Sequence, residues 1–146
     1  MKILIRVLLV GAVLVGGFLF RDRISGGAGD LQIGDCFDAP RVTSADNDVY
    51  KVQHHPCTEP HTAEAVFVGD HPAPKGTPFT LSLLGEFARG SCLPALDAYL
   101  GTTNSEVIDI GAMYPDEKDW DNGDRKITCY AYRVDRAPLS GTLKDS

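Results

Sequence analysis

The stretch QHHPCTEPHTAEAVF, Gln53 to Phe67, brings His54, His55, Cys57, Glu59, His61 and Glu64 close together in the chain. Three chemistries use such residues. A zinc site would draw on Cys57, His61 and one of His54 or His55, with thiolate and imidazole as ligands. A thiol catalyst would need Cys57 as a free thiolate of lowered pKa. A cystine would need a second cysteine within bonding reach and an oxidising compartment. The spacing separates the three. If TAEAVFVG is a strand, His61 and Glu64 lie three apart in extended chain and point to opposite sides, which works against a joint chelate. Thiolate and disulfide are exclusive states, so a paired Cys57 is neither ligand nor nucleophile. A metal- or small-ligand-binding role for His61 and Glu64 is kept as the alternative. The leading reading is a stapled turn in which Pro56 and Pro60 restrict the backbone around Cys57 and the His61 ring donates to a backbone carbonyl.

The partner for Cys57 comes from a count of four: Cys36, Cys57, Cys92 and Cys129. None forms a C-x-x-C pair, so the spacing is neither that of a thioredoxin-type motif nor that of a zinc ribbon. Three pairings are possible. Cys36–Cys57 and Cys92–Cys129 are favoured. The first joins the ends of two consecutive strands; the second fastens the apolar face of a helix to the inward face of the last strand.

Elsewhere, DEKDWDNGD raises calcium, but counting from Asp119 puts Gly123 at the fifth place and Tyr130 at the twelfth, where an EF-hand loop wants acids. Trp120 reads as a packing anchor over the sheet. The chain holds no G-x-S-x-G, no H-E-x-x-H and no phosphate loop. No catalytic residue, metal or cofactor is expected, and no enzymatic activity.

These residues need elements to hold them. LQIGDCFD, VYKVQHHPC and TAEAVFVG read as strands, with RVTSADND a loop. In the third, Ala63, Ala65 and Phe67 alternate with Glu64, Val66 and Val68, and Glu64 begins the polar face. From Phe79 to Leu100 the period changes: Leu84, Phe87, Ala88, Cys92, Ala95 and Tyr99 mark one helix face, kinked or split at Pro94. EVIDIGAMYP and RKITCYAYRV are strands joined by a turn, for which Asn122-Gly123 is a hairpin signal. In the last strand Ile127, Cys129 and Ala131 share one face. The tail APLSGTLKDS either adds a short strand or stays loose. The pattern β-β-β-α-β-β predicts an α+β domain: a small, mostly antiparallel sheet, a helix on one face and two disulfides.

Residues 1–23 differ from the rest. Apolar residues run from Val7 to Phe20 without a charge, with Lys2 and Arg6 before them and Arg21, Asp22 and Arg23 after. This predicts an N-terminal transmembrane helix, with a cleaved signal peptide as the alternative. The flanking charges put the N-terminus in the cytoplasm and the body outside. Residues 24–30 read as a Gly-rich linker and 31–146 as the extracytoplasmic domain. The formal net charge is −6; without those flanking residues the body carries 10 basic and 19 acidic residues. So acidic a body lacks the clustered cations that phosphate needs, and nucleic acid is excluded as a partner.

An N-terminal apolar segment followed by GDCFD, PCTEPHTAEAVF, a helix cysteine, YP, WDNGDRKITC and a terminal SGTL resembles the septum formation domain family of actinobacterial membrane-anchored envelope proteins. The likeness spans about Leu31 to Leu143. It falls on Gly34, Asp35, Cys36, Cys57, Pro60, His61, Glu64, Cys92, Trp120, Gly123, Asp124, Arg125 and Cys129; His54, His55 and the Pro-rich loop from Asp70 to Pro78 stand outside the pattern. The resemblance implies a place in the envelope, a link to septation and no catalytic mechanism. It also implies a Glu64–Arg125 ion pair. The expectation is a single-pass, membrane-anchored, non-catalytic binding or scaffolding domain whose partners are envelope or division proteins.

Overall fold

The structure is a computed structural model that describes residues 25–39, 51–101 and 106–145. The expected anchor (1–23) and the RVTSADND loop lie outside the described residues. Among the described residues no helix is long and apolar enough to cross a membrane.

Six antiparallel strands form one sheet: β1 (Ser25–Gly27), β2 (Cys36–Asp38), β3 (Lys51–His55), β4 (Ala63–Asp70), β5 (Ile108–Met113) and β6 (Lys126–Arg133), in the order β1-β3-β2-β4-β6-β5. Among the described residues, one long helix, α1 (Leu81–Leu100), and one short helix, α2 (Glu117–Asn122), accompany the sheet. The stretch expected to be a loose linker belongs to the domain: Ser25–Gly27 pairs with β3, a 3₁₀ turn follows at Ala28–Asp30, and Ala28 is buried.

α1 begins where Thr80 accepts a hydrogen bond from the Leu83 amide and ends at Gly101 in the left-handed region, φ 69°. Its buried face is Leu84, Ala88, Cys92, Leu96, Tyr99 and Leu100. The expected division at Pro94 does not occur. Pro94 and Gly90, whose carbonyl loses its helical donor, both lie on the exposed face, where water can satisfy the freed group.

The sheet is covered on both sides, which decides the character of β4. On the helix side Val66, Ile127, Cys129 and Ala131 pack with the buried face of α1 and with Trp120. On the other side Leu31, Phe37, Val52, Ala63, Ala65 and Met113 form a second core. Ala63, Glu64, Ala65 and Val66 are therefore all buried, and β4 has no solvated face at this end. The strand's alternation is also broken: a register shift between Ala65 and Phe67 leaves Ala65 in one core and Phe67 against the other.

The Asn122-Gly123 pair closes a helix rather than a hairpin. Asp116 accepts a hydrogen bond from the Asp119 amide at the start of α2, and Gly123 ends it with φ 104°. A type I′ turn and a helix C-terminus both require positive φ, so glycine serves either. The aspartate cap upstream selects the helix.

Candidate functional site

The residues singled out from sequence fall into two groups. The first gathers around Cys36, Cys57, His61 and Glu64. Gly34, at φ 92°, makes a turn before β2 in which the Asp35 carboxylate accepts from the Gln32 amide at 2.8 Å. This tight turn delivers Cys36 into the sheet beside Glu64, its register partner on β4. Cys36 bonds to Cys57, and Cys92 on α1 bonds to Cys129 on β6. Both pairings are those expected.

Past Cys57, the Glu59 amide donates to the Pro56 carbonyl at 2.8 Å and Pro60 is exposed. His61 is 1% exposed; its Nδ1–H donates to the Glu59 carbonyl at 2.8 Å. Its Nε2 is buried with no hydrogen-bond partner among the described residues. The backbones of His61 and Leu139 exchange hydrogen bonds of 3.2 and 2.7 Å, and the Gly141 amide donates to the Cys57 carbonyl at 3.0 Å. The tail is thus laid across the stapled turn.

Glu64 lies under that tail, fully buried. Its Oε1 accepts from the Tyr99 hydroxyl and from the Thr142 hydroxyl, the latter at 2.5 Å, and its Oε2 accepts from the Leu143 amide at 2.6 Å. Burial pushes the Tyr99 phenol well above its usual value, and the hydrogen bond to Glu64 adds to the shift. Glu64 therefore does not begin a polar face, and it does not pair with Arg125. The helix and the second core close both sides of β4, so the carboxylate takes its donors from α1 and from the tail.

The Cys36 and Cys57 sulfurs and a Glu64 oxygen lie within 4.8 Å of one another, the donor set of a small metal site. The sulfurs are bonded to each other, and the carboxylate already accepts three hydrogen bonds, so in this oxidised state the set does not fit a metal.

The second group is built on α2. Trp120 is fully buried and its Nε1–H donates to the Thr77 carbonyl at 2.7 Å. The Arg125 guanidinium sits 3.8 Å above the Trp120 ring and donates to the carbonyls of Ala73, Pro74, Trp120 and Asp124. Asp124 turns the chain into β6 by accepting from the Lys126 amide at 2.9 Å. The His71 ring packs against Trp120 and Phe87. Arg125 thus fastens the Pro-rich loop, through partners that it does not share with Glu64.

The model of the family described as Septum formation matches residues 33–143. The chain belongs to the Septum formation family. No curated protein and no solved structure matches it. In this septum formation domain, sequence reasoning found the cystine pairs and the backbone carbonyl that meets the His61 ring, but not the partners of Glu64, Trp120 and Arg125. Tyr99 had been placed only on an apolar stripe, and Thr142 and Leu143 only in a tail. The signal for Thr142 and Leu143 was the terminal SGTL, whose place in the family pattern marks it as more than a loose end.

Proposed function

We propose that this septum formation domain is the extracytoplasmic part of a single-pass membrane protein, and that it acts at the cell envelope as a non-catalytic binding or scaffolding module linked to septum formation. The observation that carries the reading is the pair of cystines in a chain of this family: all the described cysteines are bonded, as suits an oxidising compartment. The apolar run from Val7 to Phe20 supplies the anchor. The polar side chains support scaffolding, because Glu64 holds the tail, His61 the stapled turn and Arg125 the Pro-rich loop. The acidic body favours envelope or division proteins over nucleic acid or anionic lipid as partners.

A fluorescent fusion of the full chain should concentrate at division sites, and protease added to wall-stripped cells should remove the domain. An even distribution with unaltered septa after deletion would overturn the septal link. Full protection from protease would overturn the topology.

A further inference from the structure

The two cystines stand in different surroundings. Cys92 and Cys129 are 3% and 0% exposed and lie in the apolar core with Leu96, Ile127 and Ala131. Cys36 is as deeply buried, but its partner Cys57 is only half-buried, at the rim of the domain. An incoming thiolate must reach a sulfur in line with the S–S bond, so access decides which cystine reacts and at which atom. Of the four cysteines only Cys57 is not fully buried. The sulfur displaced would then be Cys36, and Cys36 is the register partner of the buried Glu64, with the two sulfurs and a carboxylate oxygen within 4.8 Å of one another. A carboxyl group so placed can give a proton to the departing sulfur and take it back. The Gly34 carbonyl oxygen, 3.5 Å from the Cys57 sulfur, would accept from a Cys57 thiol if the bond were fully reduced.

We propose that Cys36–Cys57 is a thiol–disulfide exchange site that reacts with low-molecular-weight thiols, with Cys57 the sulfur attacked and Glu64 the proton partner of Cys36. The incoming thiol gives up its proton to the Glu64 carboxylate, and the thiolate attacks Cys57 Sγ and forms a mixed disulfide there. The Cys36–Cys57 bond breaks, its electron pair goes to Cys36 Sγ, and that sulfur takes the proton from Glu64. In the return direction the Glu64 carboxylate removes the proton from Cys36, Cys36 attacks Cys57 Sγ, and the small thiolate leaves and takes the proton with it. The reaction is stoichiometric, on the domain itself, and stands whether or not the domain acts at a septum. It bears on the tail as well, because Cys57 and Glu64 are both bonded to residues 141–143.

The test uses the full chain with glutathione as the probe, acid quenching, alkylation of thiols with maleimide, and peptide mapping. Glutathione should be found on Cys57 and maleimide on Cys36, while Cys92–Cys129 stays closed. Glutathione on Cys36, or equal rates of opening for the two cystines, would overturn the site. In Glu64→Gln both opening and closing of Cys36–Cys57 should slow by the same factor, about tenfold or more. A purely structural role for Glu64 would instead loosen the site and speed opening, so unchanged or faster opening removes Glu64 from the reaction. Glu64→Asp, which keeps the acid but draws it back, serves if Glu64→Gln does not fold, with the same two-way slowing expected.

Discussion

Glu64 and Arg125 are two charged side chains that hold loose segments of one small domain, and they do it in opposite ways. Glu64 lies under the tail with no exposure and takes its hydrogen bonds from three donors on two distant segments. Arg125 lies half-buried over Trp120 and gives its hydrogen bonds to carbonyls, two of them in the Pro-rich loop. A carboxylate is an acceptor only, so burying it demands that donors be brought to it. A guanidinium is a donor only, and loops, whose carbonyls are not consumed by a ladder, offer acceptors cheaply. The chemical type of the charge thus decides what it can gather: a hydroxyl-bearing tail in one case, a proline-rich loop in the other.

The largest expected effect breaks the first of these. Glu64→Ala leaves Tyr99, Thr142 and the Leu143 amide without their acceptor and should cost about 3–5 kcal/mol, read from chemical denaturation. Arg125→Ala should cost less, about 1–3 kcal/mol, because the carbonyls it frees lie near water. Hydrogen exchange should then quicken in residues 71–80 and leave the tail unchanged; equal quickening in both would mean that the two regions are not independent. Loss of a loop contact is local where loss of a core acceptor is global, and the two variants separate these outcomes.

Tyr99→Phe removes one donor and keeps the ring, which should cost about 1 kcal/mol at neutral pH. Its pH dependence sharpens the assignment. The folded state holds the Tyr99 phenol neutral beyond the ordinary 10.0, so its contribution is fully present below that pH and is lost as pH rises above it. Tyr130 and Tyr132 are shifted in the same direction, the first cause for each being burial. The alkaline loss of stability should therefore be shallower in Tyr99→Phe than in the unaltered chain, though not absent. An unchanged alkaline slope would show that Tyr99 is solvated when it ionises. The smallest effect belongs to the half-buried His55–Asp38 pair at the sheet surface, 3.0 Å apart, for which Asp38→Asn should change stability by only about 0–1 kcal/mol.

The sheet, the long helix and both cystines were legible in the sequence because each rests on a repeated or local signal: alternation in β6, a stripe on α1, and cysteines placed where those elements would meet. Glu64 was misread because alternation reports only that successive side chains point to opposite faces. It cannot say that both faces are covered, and the second cover comes from Leu31 and its neighbours, in a region read as linker and domain edge. Residues Asn122 and Gly123 were misread because positive φ is shared by two structures, and the deciding residue, Asp116, lies six positions upstream of the latter's neighbour Asn122. Tyr99 carried no signal for its role, since a tyrosine on an apolar stripe looks the same whether its hydroxyl meets water or a carboxylate.

The tail over Glu64 also makes the core depend on the far end of the chain. Glu64 and Thr142 are 78 residues apart in sequence. Without residues 139–143 the carboxylate under α1 would keep only the Tyr99 hydroxyl as a donor. The last few residues, which look like an appendage in the sequence, thus complete the hydrogen bonding of a charge buried in the middle of the sheet.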